Sequence, residues 1–223
     1  MSRLALLIAI VACALGLAAC GGSDKKSETA ASTPPPSPAQ AAGCEQVAQP
    51  KPKDNAKLPK PKQKLDTSKT YVAQVVTSCG EFDITLDSKR APRTGGAFKD
   101  LADKGFYDGL TFHRIVAGFV IQGGDPAGNG TGGPGFSVVE APPKNLAYTK
   151  GVVAMAKTGS EAPGTSGSQF FVVTAEDAQL PPEYALLGKV TKGMEVVDKI
   201  SAVPTTSDDQ PAEPVVIKSI KVQ

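Results

Sequence analysis

The sequence predicts a mainly β domain, a closed antiparallel barrel with two helices, in the C-terminal two-thirds of the chain. The chain has 23 Gly and 19 Pro among its 223 residues, and both residue types interrupt helices, which disfavours a helical bundle. From residue 70 onward, short β-rich runs follow one another with Gly-rich connections, and only two segments have helical periodicity. Short strands with tight turns are typical of a barrel rather than of a doubly wound sheet.

The barrel is predicted to begin with a β-hairpin. Residues 71–77 and 82–86 are rich in β-branched residues, and the second run alternates between polar and apolar positions. The four residues between them suit a turn. Further short strands are predicted at residues 111–116, 119–122, 152–156, 169–174, 186–190 and 215–222.

Two segments have the apolar spacing of helices. The first begins at Pro92, because proline is favoured in the first turn, and ends near Gly105, a favoured residue after a helix C-terminus. The second spans residues 194–201. Both are predicted to pack one apolar face on the barrel.

The first residues resemble a bacterial lipoprotein signal. A positive start is followed by an apolar run over residues 4–17, too short to span a bilayer, and by Leu-Ala-Ala-Cys ending at Cys20. We therefore expect residues 1–19 to be removed and Cys20 to carry lipid, which anchors the protein outside the cytoplasm on a bacterial cell membrane of unspecified type. The alternative is an ordinary cleaved signal in which Cys20 is accidental.

Residues 20–69 are predicted to be a disordered tether in front of a domain at residues 70–223. The tether lacks apolar periodicity, and residues 51–64 alternate Lys with Pro, a composition that favours extended conformations. The alternative is a basic segment that binds anionic lipid or wall polymer. The net charge is +4 over residues 23–69 and −3 over residues 70–223, which argues against a nucleic-acid-binding domain.

The expected chemical state of the four cysteines follows from the predicted export. Cys13 leaves with the signal and Cys20 is lipidated, so Cys44 and Cys79 remain. Two remaining thiols in an oxidising compartment tend to form a disulfide. Two free thiols are the alternative.

Several other kinds of site are disfavoured. The chain has one His, His113, and two spare Cys, so neither a metal site nor a cofactor is expected. Residues 128–133 match the dinucleotide pattern G-x-G-x-x-G, but Pro134 follows where a helix should begin, so a tight loop is expected. Ser166 and Ser168 lack the motif and the nearby His of a serine hydrolase.

The most informative stretch is residues 109–125. Strand alternation places Arg114 on one face with Phe112 and Val116. A cation among apolar neighbours needs a partner or a function, because unpaired charges are seldom buried. From local physics alone, a surface Arg or a structural ion pair is the better explanation.

From residue 70 to the C-terminus the sequence resembles the cyclophilins, a family of peptidyl-prolyl cis-trans isomerases. The resemblance implies a closed eight-stranded antiparallel β-barrel capped by two α-helices, no cofactor, a monomer, and action on proline-containing polypeptides during the folding of exported proteins. The matching blocks, in order, are Phe112-His-Arg114, Phe119, Gln122-Gly-Gly-Asp125, Met155-Ala156, Gly167-Ser-Gln-Phe-Phe171 and Leu187-Gly-Lys-Val190.

The same resemblance implies roles for individual residues. Arg114, Phe119 and Gln122 take the catalytic positions: Arg114 donates a hydrogen bond toward the prolyl nitrogen, and Gln122 orients Arg114 and the substrate. Apolar residues enclose the proline ring, and the backbone at residues 156 and 157 contacts the residue before proline. The implied substrate-binding residues are His113, Val120, Ala156, Lys157, Gln169, Phe171, Leu180 and Tyr184.

Three positions depart from the family pattern. Lys157 stands where many members have Asn, which favours acidic peptides. Gln179 and Tyr184 stand where cyclosporin-sensitive members have Trp and His. Without the indole, cyclosporin is expected to bind weakly.

Two other functions remain open at this point. The domain is either an isomerase or a cyclophilin-fold module that holds Pro-rich peptides with incidental catalysis, and retention of Arg114 and Phe119 favours the enzyme. A structural cell-wall protein built on the Lys/Pro tract is the third alternative, and it would work without residues 70–223.

Overall fold

The fold is described from a computed structural model. It describes residues 37, 43–54 and 57–223, so the predicted signal and Cys20 lie outside the described residues. Among the described residues, no helix is both long and apolar enough to cross a membrane. The domain contains ten strands and two helices: β1 (Tyr71–Thr77), β2 (Gly80–Leu86), α1 (Pro92–Asp103), β3 (Arg114–Val116), β4 (Val120–Gly123), β5 (Val138–Val139), β6 (Val152–Met155), β7 (Thr165–Ser166), β8 (Phe170–Val173), β9 (Leu186–Lys192), α2 (Met194–Ser201) and β10 (Ile217–Val222).

Eight strands form one antiparallel sheet in the order β10-β1-β2-β9-β6-β8-β4-β3, and β5 pairs with β7 separately. The predicted closed barrel is wrong in one respect: the sheet is curled but open, with β3 and β10 at its edges. β3 is only three residues long, and the N–H of Ile115 within it donates to the carbonyl of Asp209 in a loop (2.8 Å). Contact across the opening comes instead from the segment before β3 and the start of β10: the N–H of Phe112 donates to the carbonyl of Val215 (2.9 Å), and the N–H of Ile217 donates to that of Leu110 (2.7 Å).

The predicted hairpin and both helices are present. Inward residues of β1 and β2 alternate with exposed or half-buried ones, as expected for strands with one face on the core. α1 buries Phe98 and Leu101, and α2 buries Val197 and Ile200 in the same core. A second, smaller cluster beside it includes Val120 and Phe171 and supports the site described below.

The described part of the predicted tether lies against the domain. We call residues 43–54 and 57–69 the strap. Its Cys44 is joined to Cys79, in the β1–β2 turn, by a disulfide with an S–S distance of 2.06 Å. Leu65, near its other end, is buried in the core. The prediction of a disordered tether therefore does not describe residues 43–54 and 57–69, because scattered apolar residues and backbone hydrogen bonds attach these residues although they have no periodic pattern.

Candidate active site

Strand register brings the central residues of the site into one row. Arg114 on β3 lies opposite Gln122 on β4, and Gln122 lies opposite Phe171 on β8. Because neighbouring strands pair antiparallel here, residues far apart in the sequence face the same side of the sheet. The pairing places a cation, an amide and an aromatic ring side by side.

A small pocket of about 220 Å³ opens beside this row. Part of its lining is aromatic: the Phe171 and Tyr184 rings meet edge to face at 5.4 Å, and the Tyr184 ring also meets the Tyr148 ring at 6.0 Å. Such T-shaped contacts are favoured between aromatic rings. The pocket brings together nine of the eleven predicted catalytic and substrate-binding residues: Arg114, Phe119, Val120, Gln122, Ala156, Lys157, Phe171, Leu180 and Tyr184.

Arg114 reaches the pocket with a half-buried side chain. Its guanidinium pairs with the Asp209 carboxylate at 3.3 Å, and the Asp209 carbonyl accepts the N–H of the next residue, Ile115. Asp209 has a φ of +60°, an uncommon backbone conformation for a residue other than glycine. Asp209 was not predictable from the sequence, because an Asp in an irregular loop carries no pattern that links it to a distant strand.

The Gln122 amide is held by Gln169. Its Nε2 donates to Oε1 of Gln169 (3.0 Å), and Nε2 of Gln169 donates to the carbonyls of Gly130 (3.0 Å) and Gly132 (2.9 Å). The amide predicted to orient Arg114 is therefore bonded to Gln169. Both amides are fixed, with Gln169 tying them to a glycine-rich loop.

A wider groove of about 770 Å³ adjoins the small pocket and shares Gln122, Ala156 and Lys157 with it. Gln169 lines this groove. Its outer wall is the loop of residues 125–135, which we call the wall loop and which contains the G-x-G-x-x-G match. The loop is tight, as expected, because the Asp125 carboxylate accepts the N–H groups of Ala127 (2.8 Å), Asn129 (2.9 Å) and Gly130.

His113 lies under the wall loop and lines neither pocket. It is buried, and neither ring nitrogen has a hydrogen-bond partner among the described residues. Burial lowers its pKa, and the nearby Asp125 carboxylate opposes that shift. A neutral, enclosed imidazole fits a structural role better than a substrate contact.

Lys157 has an enclosed ammonium group. Its side chain is 5% exposed, and Nζ lies 3.4 Å from the Glu183 carboxylate and 5.6 Å from the centre of the Tyr184 ring. Nζ also donates to the carbonyls of Thr158 (3.3 Å) and Glu161 (3.2 Å). Because these groups already compensate the charge, the ammonium gives little reason to expect a preference for acidic peptides.

The described residues contain no group of three or more His, Cys, Asp or Glu that could hold a metal ion. The site offers an apolar pocket, the Arg114 guanidinium, the enclosed Lys157 ammonium and two fixed amides. Such a site can bind and polarise a peptide group. Within the pocket itself, no Ser, Cys or His lies among the lining residues to act as a nucleophile.

Comparison with known proteins gives consistent matches to one family. The model for "Cyclophilin type peptidyl-prolyl cis-trans isomerase/CLD" matches residues 72–222. Peptidyl-prolyl cis-trans isomerase B of Streptomyces anulatus is 40% identical over 171 residues, which is 68% of this chain and 95% of that protein. Peptidyl-prolyl cis-trans isomerase CYP18-2 of Arabidopsis thaliana is 39% identical over 150 residues, 66% of this chain and 90% of the relative.

A solved structure agrees with these matches. The crystal structure of a cyclophilin type peptidyl-prolyl cis-trans isomerase of Cryptosporidium parvum has a TM-score of 0.65 at 31% identity and covers 70% of this chain and 98% of its own. The fold and pocket, with these matches, define a peptidyl-prolyl cis-trans isomerase. The chain belongs to the cyclophilin family of these enzymes.

Proposed function

We propose that the small pocket binds the proline ring of a polypeptide and that Arg114 stabilises the twisted amide. Rotation about the X–Pro bond faces a barrier of about 18–20 kcal/mol, because resonance gives the bond double-bond character. When the amide twists, the lone pair of the prolyl nitrogen is released and can accept a hydrogen bond. A donor that binds this state more tightly than the planar states lowers the barrier without covalent chemistry.

The position of Arg114 beside the apolar pocket is the observation that carries this proposal. Phe119, Phe171 and Leu180 supply an apolar surface for the ring, and the guanidinium lies at its edge. A guanidinium has five N–H donors. The pair with Asp209 therefore leaves donors available to the substrate while it restricts the side chain.

The adjoining groove would bind the residues before proline. Ala156 and Lys157 line both cavities, so a peptide whose proline fills the small pocket continues past them. The Cryptosporidium parvum isomerase has also been crystallised in the presence of the dipeptide Ala-Pro, in a structure with a TM-score of 0.64 and 31% identity to this chain. By analogy we expect an X–Pro unit to bind here between residues 114–122 on one side and residues 156–157 on the other.

The activity is tested with wild type and Arg114→Ala on a proline peptide. Loss of a hydrogen bond from a charged donor costs about 1.5–3 kcal/mol, so we expect kcat/KM to fall by about ten- to a hundredfold. Arg90→Ala is the matched control, because Arg90 pairs with Asp87 on the surface at 2.6 Å. Equal kcat/KM for wild type and Arg114→Ala would refute the mechanism. If Arg114→Ala were inactive but still prevented client aggregation, the peptide-holding function would be favoured.

We further propose that the enzyme assists folding of exported proteins while attached to a bacterial cell membrane through lipid on Cys20. The apolar run that ends in Leu-Ala-Ala-Cys supports this location. The Cys44–Cys79 disulfide is compatible with it, because disulfides persist outside the cytoplasm. Mass spectrometry of the mature N-terminus tests it: a diacylglycerol adduct on Cys20 is expected, and an unmodified N-terminus would refute it.

A further inference from the structure

The strap contacts the outer face of the loop that walls the substrate groove. The N–H of Lys53 donates to the carbonyl of Pro126 (2.8 Å), and the N–H of Leu58 donates to the carbonyl of Pro134 (3.0 Å). These two acceptors lie near the two ends of the wall loop. The Leu58 side chain also packs on the main core. The strap therefore holds both ends of the wall loop from outside.

The inner face of the same loop is held by the site itself. Gln169 donates to the carbonyls of Gly130 and Gly132, in the middle of the loop, and accepts the amide N–H of Gln122. Hydrogen bonds thus join the strap to the wall loop on one side and, through Gln169, the wall loop to Gln122 on the other. Gln122 lies opposite Arg114 in the strand register.

The strap is itself fixed at both ends. Beside the Cys44–Cys79 disulfide, the N–H of Glu45 donates to the carbonyl of Ser78 (2.7 Å). At the other end, the N–H of Leu65 donates to the carbonyl of Pro92 (2.9 Å), and the Leu65 side chain is 6% exposed. A segment fixed at both ends can transmit a positional constraint to what it contacts in between.

We propose that the strap is a positioning element of the enzyme. It holds the wall loop in place and so determines how tightly the groove binds the residues before proline. The matched family domain begins at residue 72, so this constraint comes from a part of the chain that the family match does not include. The proposal rests on the proposed function, in that it assigns the groove to the upstream part of the substrate.

A matched pair of variants isolates the two outer hydrogen bonds. Lys53→Pro/Leu58→Pro removes both N–H donors, whereas Lys53→Ala/Leu58→Ala loses the same side chains and keeps both donors. Each variant is assayed by NMR exchange on two peptides, one with a single blocked residue before proline and one with four. Only the longer peptide reaches along the groove.

We expect the proline pair to raise KM for the longer peptide about three- to tenfold over the alanine pair, since one backbone hydrogen bond corresponds to about a two- to tenfold change. We expect kcat to be similar in both pairs, and the shorter peptide to be turned over equally by both. Equal KM values for the longer peptide would overturn the proposal. An equal loss of kcat/KM on both peptides would also overturn the proposal, because it would indicate that the proline pair destabilises the whole domain.

A second readout does not depend on activity. Amide hydrogen exchange of Ala127, Asn129 and Gly130, which donate to Asp125 inside the wall loop, should be faster in the proline pair than in the alanine pair. Unchanged exchange would overturn the strap proposal even if wild type were active. Faster exchange in a protein without isomerase activity would instead refute the proposed function and leave the strap contact supported.

Discussion

At the scale of single residues, the pairing of Arg114 with Asp209 affects the expected rate of isomerisation. Both side chains are about two-fifths exposed (39% and 41%), so water screens the pair and its contribution to stability is small. Its value lies in restricting the guanidinium to the edge of the pocket. The Asp209 backbone is in turn fixed by the hydrogen bond from Ile115.

Asp209→Asn should therefore lower kcat/KM by about two- to fivefold, the equivalent of an exposed ion pair, with most of the change in kcat. Asp208→Asn, one residue away in the same loop, removes the same charge and serves as the control. The difference between the two should shrink at high salt, where exposed charges are screened. If the two variants had equal kcat/KM, Asp209 would have no positioning role.

The residue scale is also where sequence reasoning was least complete. Nine of the site residues that the resemblance implies line the pocket. Five of them belong to the matching sequence blocks: Arg114, Phe119, Gln122, Ala156 and Phe171. His113 belongs to such a block as well, yet its ring is buried under the wall loop. Side-chain orientation depends on packing from other segments, and a local motif does not contain that information. Asp209 was missed for the same reason.

At the scale of elements, the two adjacent glycines in α1 mark where the strap crosses. Glycine in a helix interior normally lowers stability relative to alanine. Here a methyl group on Gly96 would lie 2.5 Å from the carbonyl oxygen of Gln63, and one on Gly95 would lie 2.4 Å from Cδ1 of Leu65. The absence of these Cβ atoms lets the strap backbone lie directly on the helix.

This contact reverses the sign of the stability change expected for an alanine substitution in α1. Helix propensity alone predicts that Gly96→Ala raises the free energy of unfolding by about 1 kcal/mol. With the strap in place, we expect Gly96→Ala to lower it, because backbone atoms of Gln63 and Lys64 must move. Gly159→Ala is the control, since a methyl group there meets no other atom within 4 Å among the described residues. Urea denaturation measures both, and a stabilised Gly96→Ala would contradict the docked strap.

Elements with internal periodicity were predictable from the sequence, and those defined only by partners were not. β1, β2, α1 and α2 carry their own alternation or helical spacing. β5 and β7 are two residues each and exist only because they pair with each other. The open edge beside β3 was likewise not predictable, because closure of a sheet depends on what the edge strand meets.

At the scale of the whole molecule, the disulfide joins the strap to the family domain across 35 residues of sequence. A cross-link stabilises mainly by restricting the unfolded chain, and a loop of this size corresponds to about 2–4 kcal/mol. We expect the strap to keep its other contacts when the bond is absent, since Leu65 is buried at the far end. Loss of the bond should thus weaken the fold without removing the strap.

We expect Cys44→Ala/Cys79→Ala to unfold at lower urea concentration, with about 2–4 kcal/mol less stability, and to keep the kcat of wild type on a short proline peptide. Kcat should persist because neither cysteine lines the small pocket. Reductant should lower the free energy of unfolding of wild type by a similar amount. It should leave that of the double variant unchanged, and this comparison controls for other effects of the reductant. A loss below about 0.5 kcal/mol would contradict this prediction, because the bond would then restrict the unfolded chain too little to stabilise the fold.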